Sequence, residues 1–112
     1  MALLLILLTT AGAASAEEPN VCRELPVSAI PGDTITVILN ITLNGADKTA
    51  IQDTVPEEWV VSNPSWAGSI SNANTVFWFS PNKPDFTQLT YNVTIPEDAA
   101  PGSYTFVGEF DL

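Results

Sequence analysis

The chain has 112 residues, of which 13 are acidic and 3 basic, giving a formal charge of −10, with no histidine and one cysteine. A polyanion with so few cations has little to set against a phosphate backbone, whose binding depends on Lys and Arg displacing counterions, so nucleic acid is not expected as a partner. Without imidazole the Ser-His-Asp and Cys-His arrangements cannot be assembled and the usual zinc ligands are missing, so neither an enzyme nor a cofactor is expected.

Residues Met1 to Leu8 read MALLLILL and continue as TTAGAASA, with no charged side chain before Glu17. As a helix, residues 1–16 would span only about 24 Å, short of a hydrocarbon core of about 30 Å. Ala14 and Ala16 stand at −3 and −1 from Glu17, the A-x-A pattern of a secretory signal peptide, which predicts cleavage after Ala16. No Lys or Arg precedes the apolar run. The alternative, a buried N-terminal strand or helix, is disfavoured by the abrupt change to Glu17-Glu18-Pro19-Asn20. The expected organisation is therefore a signal peptide over 1–16 and one domain over 17–112, extracellular or at the cell surface, with no transmembrane segment in the mature chain. Cys22 has no partner for an internal disulfide. Pro19-Asn20-Val21 before it does not suit lipidation, and the reading is a buried, inert strand cysteine, with an intermolecular bridge as the alternative.

Along the mature chain the dominant period is two. From Asp33 to Leu43, Ile35, Val37, Leu39, Ile41 and Leu43 alternate with Thr34, Thr36, Ile38, Asn40 and Thr42; from Leu89 to Ile95, Leu89, Tyr91, Val93 and Ile95 alternate with Thr90, Asn92 and Thr94. Both read as strands with one face in a core. Shorter strands are predicted at Val21–Ser28, Thr49–Val55, Glu58–Ser62, Thr75–Ser80 and Ser103–Phe110. Turn formers separate them: Pro31-Gly32-Asp33, Asn44-Gly45, Asn63-Pro64, Pro81-Asn82-Lys83-Pro84 and Pro101-Gly102. No stretch has helical spacing outside the leader. About seven short strands point to an all-β, immunoglobulin-like antiparallel sandwich, with a closed barrel as the alternative.

PGDTITV (Pro31 to Val37), DTVPEEW (Asp53 to Trp59), NTVFWF (Asn74 to Phe79), LTYNVTIP (Leu89 to Pro96) and APGSYTFVG (Ala100 to Gly108) follow one another in this order. Together they resemble an immunoglobulin-like module repeated in secreted and surface-layer proteins of methanogenic archaea and some bacteria, akin to adhesion repeats of the CARDB type. The resemblance covers nearly the whole mature chain and implies an extracellular, non-catalytic sandwich used as an adhesive or spacer unit. Glu58 stands where that family usually has glycine before tryptophan. Such modules commonly continue for another hairpin beyond the position of Leu112, so the last strand is expected to be missing and Tyr104 to Phe110 to form an open edge suited to strand pairing.

Asn40-Ile41-Thr42 and Asn92-Val93-Thr94 match the N-x-[ST] glycosylation acceptor, and both asparagines fall on the outward phase of their strands. Asp33, Asp47, Asp53, Glu57, Glu58, Asp85, Glu97 and Asp98 lie mostly at turns; they read as a solvated, self-repelling surface, with loop-bound Ca²⁺ as the alternative. If Trp78 points inward with Val76, Phe77 and Phe79 point outward. Trp59, Trp66, Phe77 and Phe79 are thus candidates for an aromatic platform that could stack on sugar rings. The expected function is a non-catalytic adhesive or structural module that binds a protein or cell-surface component. The alternative is a carbohydrate-binding module recognising a polysaccharide.

Overall fold

The computed structural model describes residues 6–11, 20–43, 45, 47–82 and 86–112, with the side chains of Ile6 and Leu8 alone in its first strand. The expected cleavage point at Ala16, and Asp85 and Lys83, lie outside the described residues. The described residues form ten strands: β1 (Ile6–Ala11), β2 (Asn20–Glu24), β3 (Ser28–Ala29), β4 (Thr34–Thr42), β5 (Thr49–Thr54), β6 (Val60–Ser62), β7 (Ser69–Ser71), β8 (Thr75–Ser80), β9 (Gln88–Thr94) and β10 (Gly102–Asp111). There is no helix among the described residues, and none long and apolar enough to cross a membrane.

The strands form two sheets compatible with a sandwich, one of four strands ordered β2-β4-β9-β6 and one of six ordered β3-β1-β10-β5-β8-β7. All pairings are antiparallel except β1 with β10, which run parallel from Ile6 opposite Gly102 to Ala11 opposite Val107. The alternation read from the sequence sets the interior. Ile35, Val37, Leu39 and Ile41 on β4 are buried against Leu89, Tyr91 and Val93 on β9, while the intervening Thr and Asn side chains face out. Each fully buried aliphatic stabilises the fold by about 1.5–3 kcal/mol, which is offset by the entropy of ordering the chain.

The strand boundaries shift where turn chemistry intervenes. The stretch Val21–Ser28 splits into β2 and β3 around Pro26, which has no N–H to give a ladder. Pro31 and Gly32 form the turn into β4: Asp33 N–H donates to the Ile30 carbonyl at 3.1 Å and Gly32 has φ +89°. Pro at the second and Gly at the third position is the type II pattern. β6 begins at Val60 rather than Glu58, because Glu58 sits in the left-handed region at φ 72° and Trp59 N–H returns to the Pro56 carbonyl at 3.2 Å. β7, a Ser-rich edge strand with every residue exposed, carries no alternation from which it could be read. β1 lies in the expected leader and takes the disfavoured alternative for that segment, an N-terminal strand with Ile6 buried. Its presence covers the β10 edge that the sequence led us to expect open.

Candidate functional site

Two sites gather polar or aromatic side chains, one between the sheets and one on the surface. In the first, Arg23 of β2, Asp53 of β5 and Tyr91 of β9 meet in the interior. The Arg23 and Asp53 side chains are 6% and 1% exposed. Arg23 Nε donates to Asp53 Oδ2 at 3.0 Å and its Nη2 to Oδ1, while Nη1 donates to the Phe106 carbonyl at 3.4 Å. Tyr91 Oη donates to Asp53 Oδ2 at 2.5 Å. The guanidinium also lies 5.8 Å from the Phe106 ring centroid. Gly108 faces Asp53 in the ladder, and a Cβ there would lie 2.7 Å from Arg23 Nη2, so glycine leaves the room the ion pair needs.

This network ties the four-stranded sheet to the six-stranded one at a fixed register. Burial, and then the charge and hydrogen bond of Asp53, hold the Tyr91 phenol protonated well above the usual tyrosine range, against a smaller lowering by Arg23. The sequence signal for the network is phase. Arg23 shares its strand phase with Val21 and Leu25, and Asp53 shares its own with Ile51 and Val55, so a cation and an anion stand on inward phases where an unpaired charge would be costly. Asp53, grouped with the solvated carboxylates on sequence alone, is therefore corrected to the core.

The second site lies where the loop between β6 and β7 passes the end of β8. Ser65 fastens that loop: its N–H donates to the Thr90 carbonyl at 2.8 Å, and its Oγ accepts from Thr90 N–H at 2.9 Å. The Ser65 carbonyl accepts from Trp78 Nε1 at 2.6 Å and from Gly68 N–H at 3.1 Å. Gly68 rests on the Trp78 indole so closely that a Cβ would lie 2.6 Å from Nε1. Between Ser65 and Gly68, Trp66 and Ala67 both adopt left-handed φ, 51° and 53°. That is unfavourable for a bulky aromatic, at about 1–3 kcal/mol per strained residue, and the Ser65 bonds hold it in place.

The strained turn leaves Trp66 60% exposed, its ring edge-on to Phe86 at 5.5 Å between centroids. Phe77 and Phe79 take the outward phase of β8, as expected with Val76 and Trp78 in the core, and Phe79 is also 60% exposed. Trp66, Ser69, Phe77, Phe79, Ser80 and Phe86 line a shallow groove of about 280 Å³. That is below the usual range for a drug-sized ligand and suits one ring or one inserted side chain. Its lining combines aromatic faces suited to stacking with polar groups, Ser69 and Ser80 among its residues.

Trp59, counted with the platform on sequence alone, is not part of it. Its ring is 2% exposed and packs on Tyr104 and Phe106 at 5.0 and 5.9 Å, because it follows the β5–β6 turn on an inward phase. Phe86 joins the groove instead; its position in a Pro-rich loop gave no periodic signal. Asn40 and Asn92 lie on the outer face of the four-stranded sheet but are half-buried. Asn40 Oδ1 accepts from Gln88 at 3.2 Å, and Asn92 Oδ1 from Thr36 at 2.9 Å. Cys22 is exposed rather than buried, since it takes the outward phase of β2 opposite Asn40. Among the described residues no three acidic or cysteine side chains converge on a position for a metal ion. No family model, curated protein or solved structure matches the chain.

Proposed function

We propose that the chain is a non-catalytic, exported β-sandwich module with an adhesive or structural role at the cell surface, its contact region the aromatic groove around Trp66. The observation that carries this reading is the exposure of Trp66, Phe77 and Phe79 along one groove, whereas the other large aromatics are buried or partly buried against the core. Neighbouring exposed aromatics are a contact surface rather than scattered apolar residues. The Ala14-Ser15-Ala16 pattern before Glu17 supports export, and the ordered strand motifs support an adhesion-repeat relationship. Beads coated with the protein are expected to attach to cells or to extracted surface material. Attachment should fall at least tenfold for Phe79→Ser at unchanged melting temperature, and equal attachment by the variant would refute the contact region.

A second reading, a carbohydrate-binding module, is favoured by Ser69 and Ser80 lining the same groove as Trp66, since hydroxyls together with an aromatic face suit a sugar ring. Binding to purified polysaccharide, lost in Trp66→Ala with the fold intact, would select it over a protein partner. Export is tested separately by sequencing the N-terminus of protein recovered outside the producing cells. A chain beginning at Glu17 is expected, and one beginning at Met1 would count against processing.

A further inference from the structure

β1 occupies a slot bounded on both sides. Its backbone pairs with β10 in parallel over six residues and with β3 in the antiparallel sense at Ile6–Ala29 and Leu7–Ser28, and Leu8 N–H donates to the Val27 carbonyl at 3.3 Å. Ile6 is fully buried in the core and Leu8 packs against it, the period-two spacing of a strand reading a floor of alternate pockets. In the constant-type immunoglobulin order, strand G lies beyond F on the side away from C. Here β5 pairs with β10 and β1 lies on that outer side, but parallel to β10 where the sheets of that fold are antiparallel. Yet β1 lies wholly within the segment that carries the export signature. Cleavage after Ala16, the reading on which this inference rests, would therefore remove the strand that pairs with Gly102–Val107 and vacate the position of Ile6 in the core.

We infer that the edge of β10 from Gly102 to Val107 is a strand-acceptor site: it takes an uncharged, extended segment of a different polypeptide, aliphatic at alternate positions and parallel to β10, of the kind that residues 6–11 present here. The chemistry of the occupant is given by the segment that fits, Ile-Leu-Leu-Thr-Thr-Ala, and by the acceptor stretch Gly102 to Val107, which carries no charge. A second copy of this chain is disfavoured by the formal charge of −10 that each copy would bring to an edge-to-edge contact. Open ladder groups give affinity in strand addition, and the pockets beneath give selectivity.

The test uses the full chain carrying Ile6→Asp and Leu8→Asp, which prevents β1 from seating. Amide exchange between Gly102 and Val107 is expected to accelerate at least tenfold while β4, β5 and β9 stay protected. An excess of a peptide carrying Ile-Leu-Leu-Thr-Thr-Ala between solubilising lysines should restore protection, and the same peptide with Asp for Ile should not. Unchanged exchange would show that β1 does not hold the slot, and failure of the peptide to restore protection would overturn the acceptor. If the double variant does not fold, Ile6→Ala in the full chain is exchanged against labelled peptide, and no uptake overturns the proposal. Protection restored by dimerisation without peptide, seen by sedimentation, would put a second copy in the slot and overturn the choice of partner. These readouts do not depend on cleavage in cells, so an unprocessed N-terminus would sink the export reading while leaving the slot to be judged by exchange.

Discussion

On the outer face of the four-stranded sheet, Thr34 meets Thr94 at 2.9 Å, Thr36 donates to Asn92 at 2.9 Å and Gln88 to Asn40 at 3.2 Å, so that face spends its polar groups on itself. On the six-stranded sheet the outward phase of β8 instead presents Phe77 and Phe79, with Trp66 held beside them in a strained turn. The same alternation builds both faces, and what differs is the chemistry placed on the outward phase. Cross-strand hydroxyl and amide pairs finish a surface, contributing about 0.2–1 kcal/mol each. Exposed aromatics gain nothing comparable from the fold and gain most from a partner. Between the two faces, Arg23, Asp53 and Tyr91 fix how the sheets sit against each other.

That contrast can be broken from the inside first. Asp53→Ala removes the carboxylate paired with a buried guanidinium and the partner of the Tyr91 hydroxyl, and should cost about 3–5 kcal/mol in urea unfolding. Thr36→Ala on the outer face should cost under about 1 kcal/mol. Comparable losses for the two would mean that the network is not what joins the sheets.

Alkali probes the same junction. Because the Tyr91 pKa is raised in the folded state above its ordinary value of 10.0, the folded chain keeps a proton that the unfolded chain releases. The associated stability is complete below pH 10 and is lost as pH rises beyond it, by about 1.4 kcal/mol per pH unit. Tyr91→Phe should flatten this decline in melting temperature above pH 10, and an unchanged slope would contradict the assignment.

Smaller effects sharpen the comparison. Glu58→Gly relieves a left-handed backbone at φ 72° and, after the extra freedom glycine gives the unfolded chain, should raise stability by about 0.5–1 kcal/mol. A loss would show the Glu58 side chain to be needed in the turn. Phe79→Ser on the aromatic face should change folding stability by no more than about 0.5 kcal/mol by denaturant titration, and a cost like that of a core residue would move Phe79 into the structural set.

Much of the fold was legible because a half-buried strand has to alternate: Ile35 to Ile41 and Leu89 to Ile95 point inward as their spacing demands. Of the surface site, Phe77 and Phe79 were legible for the same reason once Trp78 was placed in the core. Trp66 could be named but not oriented, because its exposure depends on a turn held by Ser65 and Thr90, twenty-five residues apart in the chain. Trp59 was misplaced because residue type alone does not tell a ring that packs from a ring that contacts a partner. Arg23 and Asp53 carried a readable sign in their inward phase, although their pairing spans thirty residues and needs two sheets to be stacked.

By itself, then, the sequence determined the all-β class, the inward and outward phases of its long strands and the turns between them, since period, β-branching and Pro-Gly placement act over a few residues. Only the tertiary structure decided which inward charges neutralise each other, which aromatics remain in water and which segment lies along β10. Those outcomes depend on residues far apart in the chain being brought within hydrogen-bonding or van der Waals distance, where a buried charge requires a partner and an edge strand requires a neighbour.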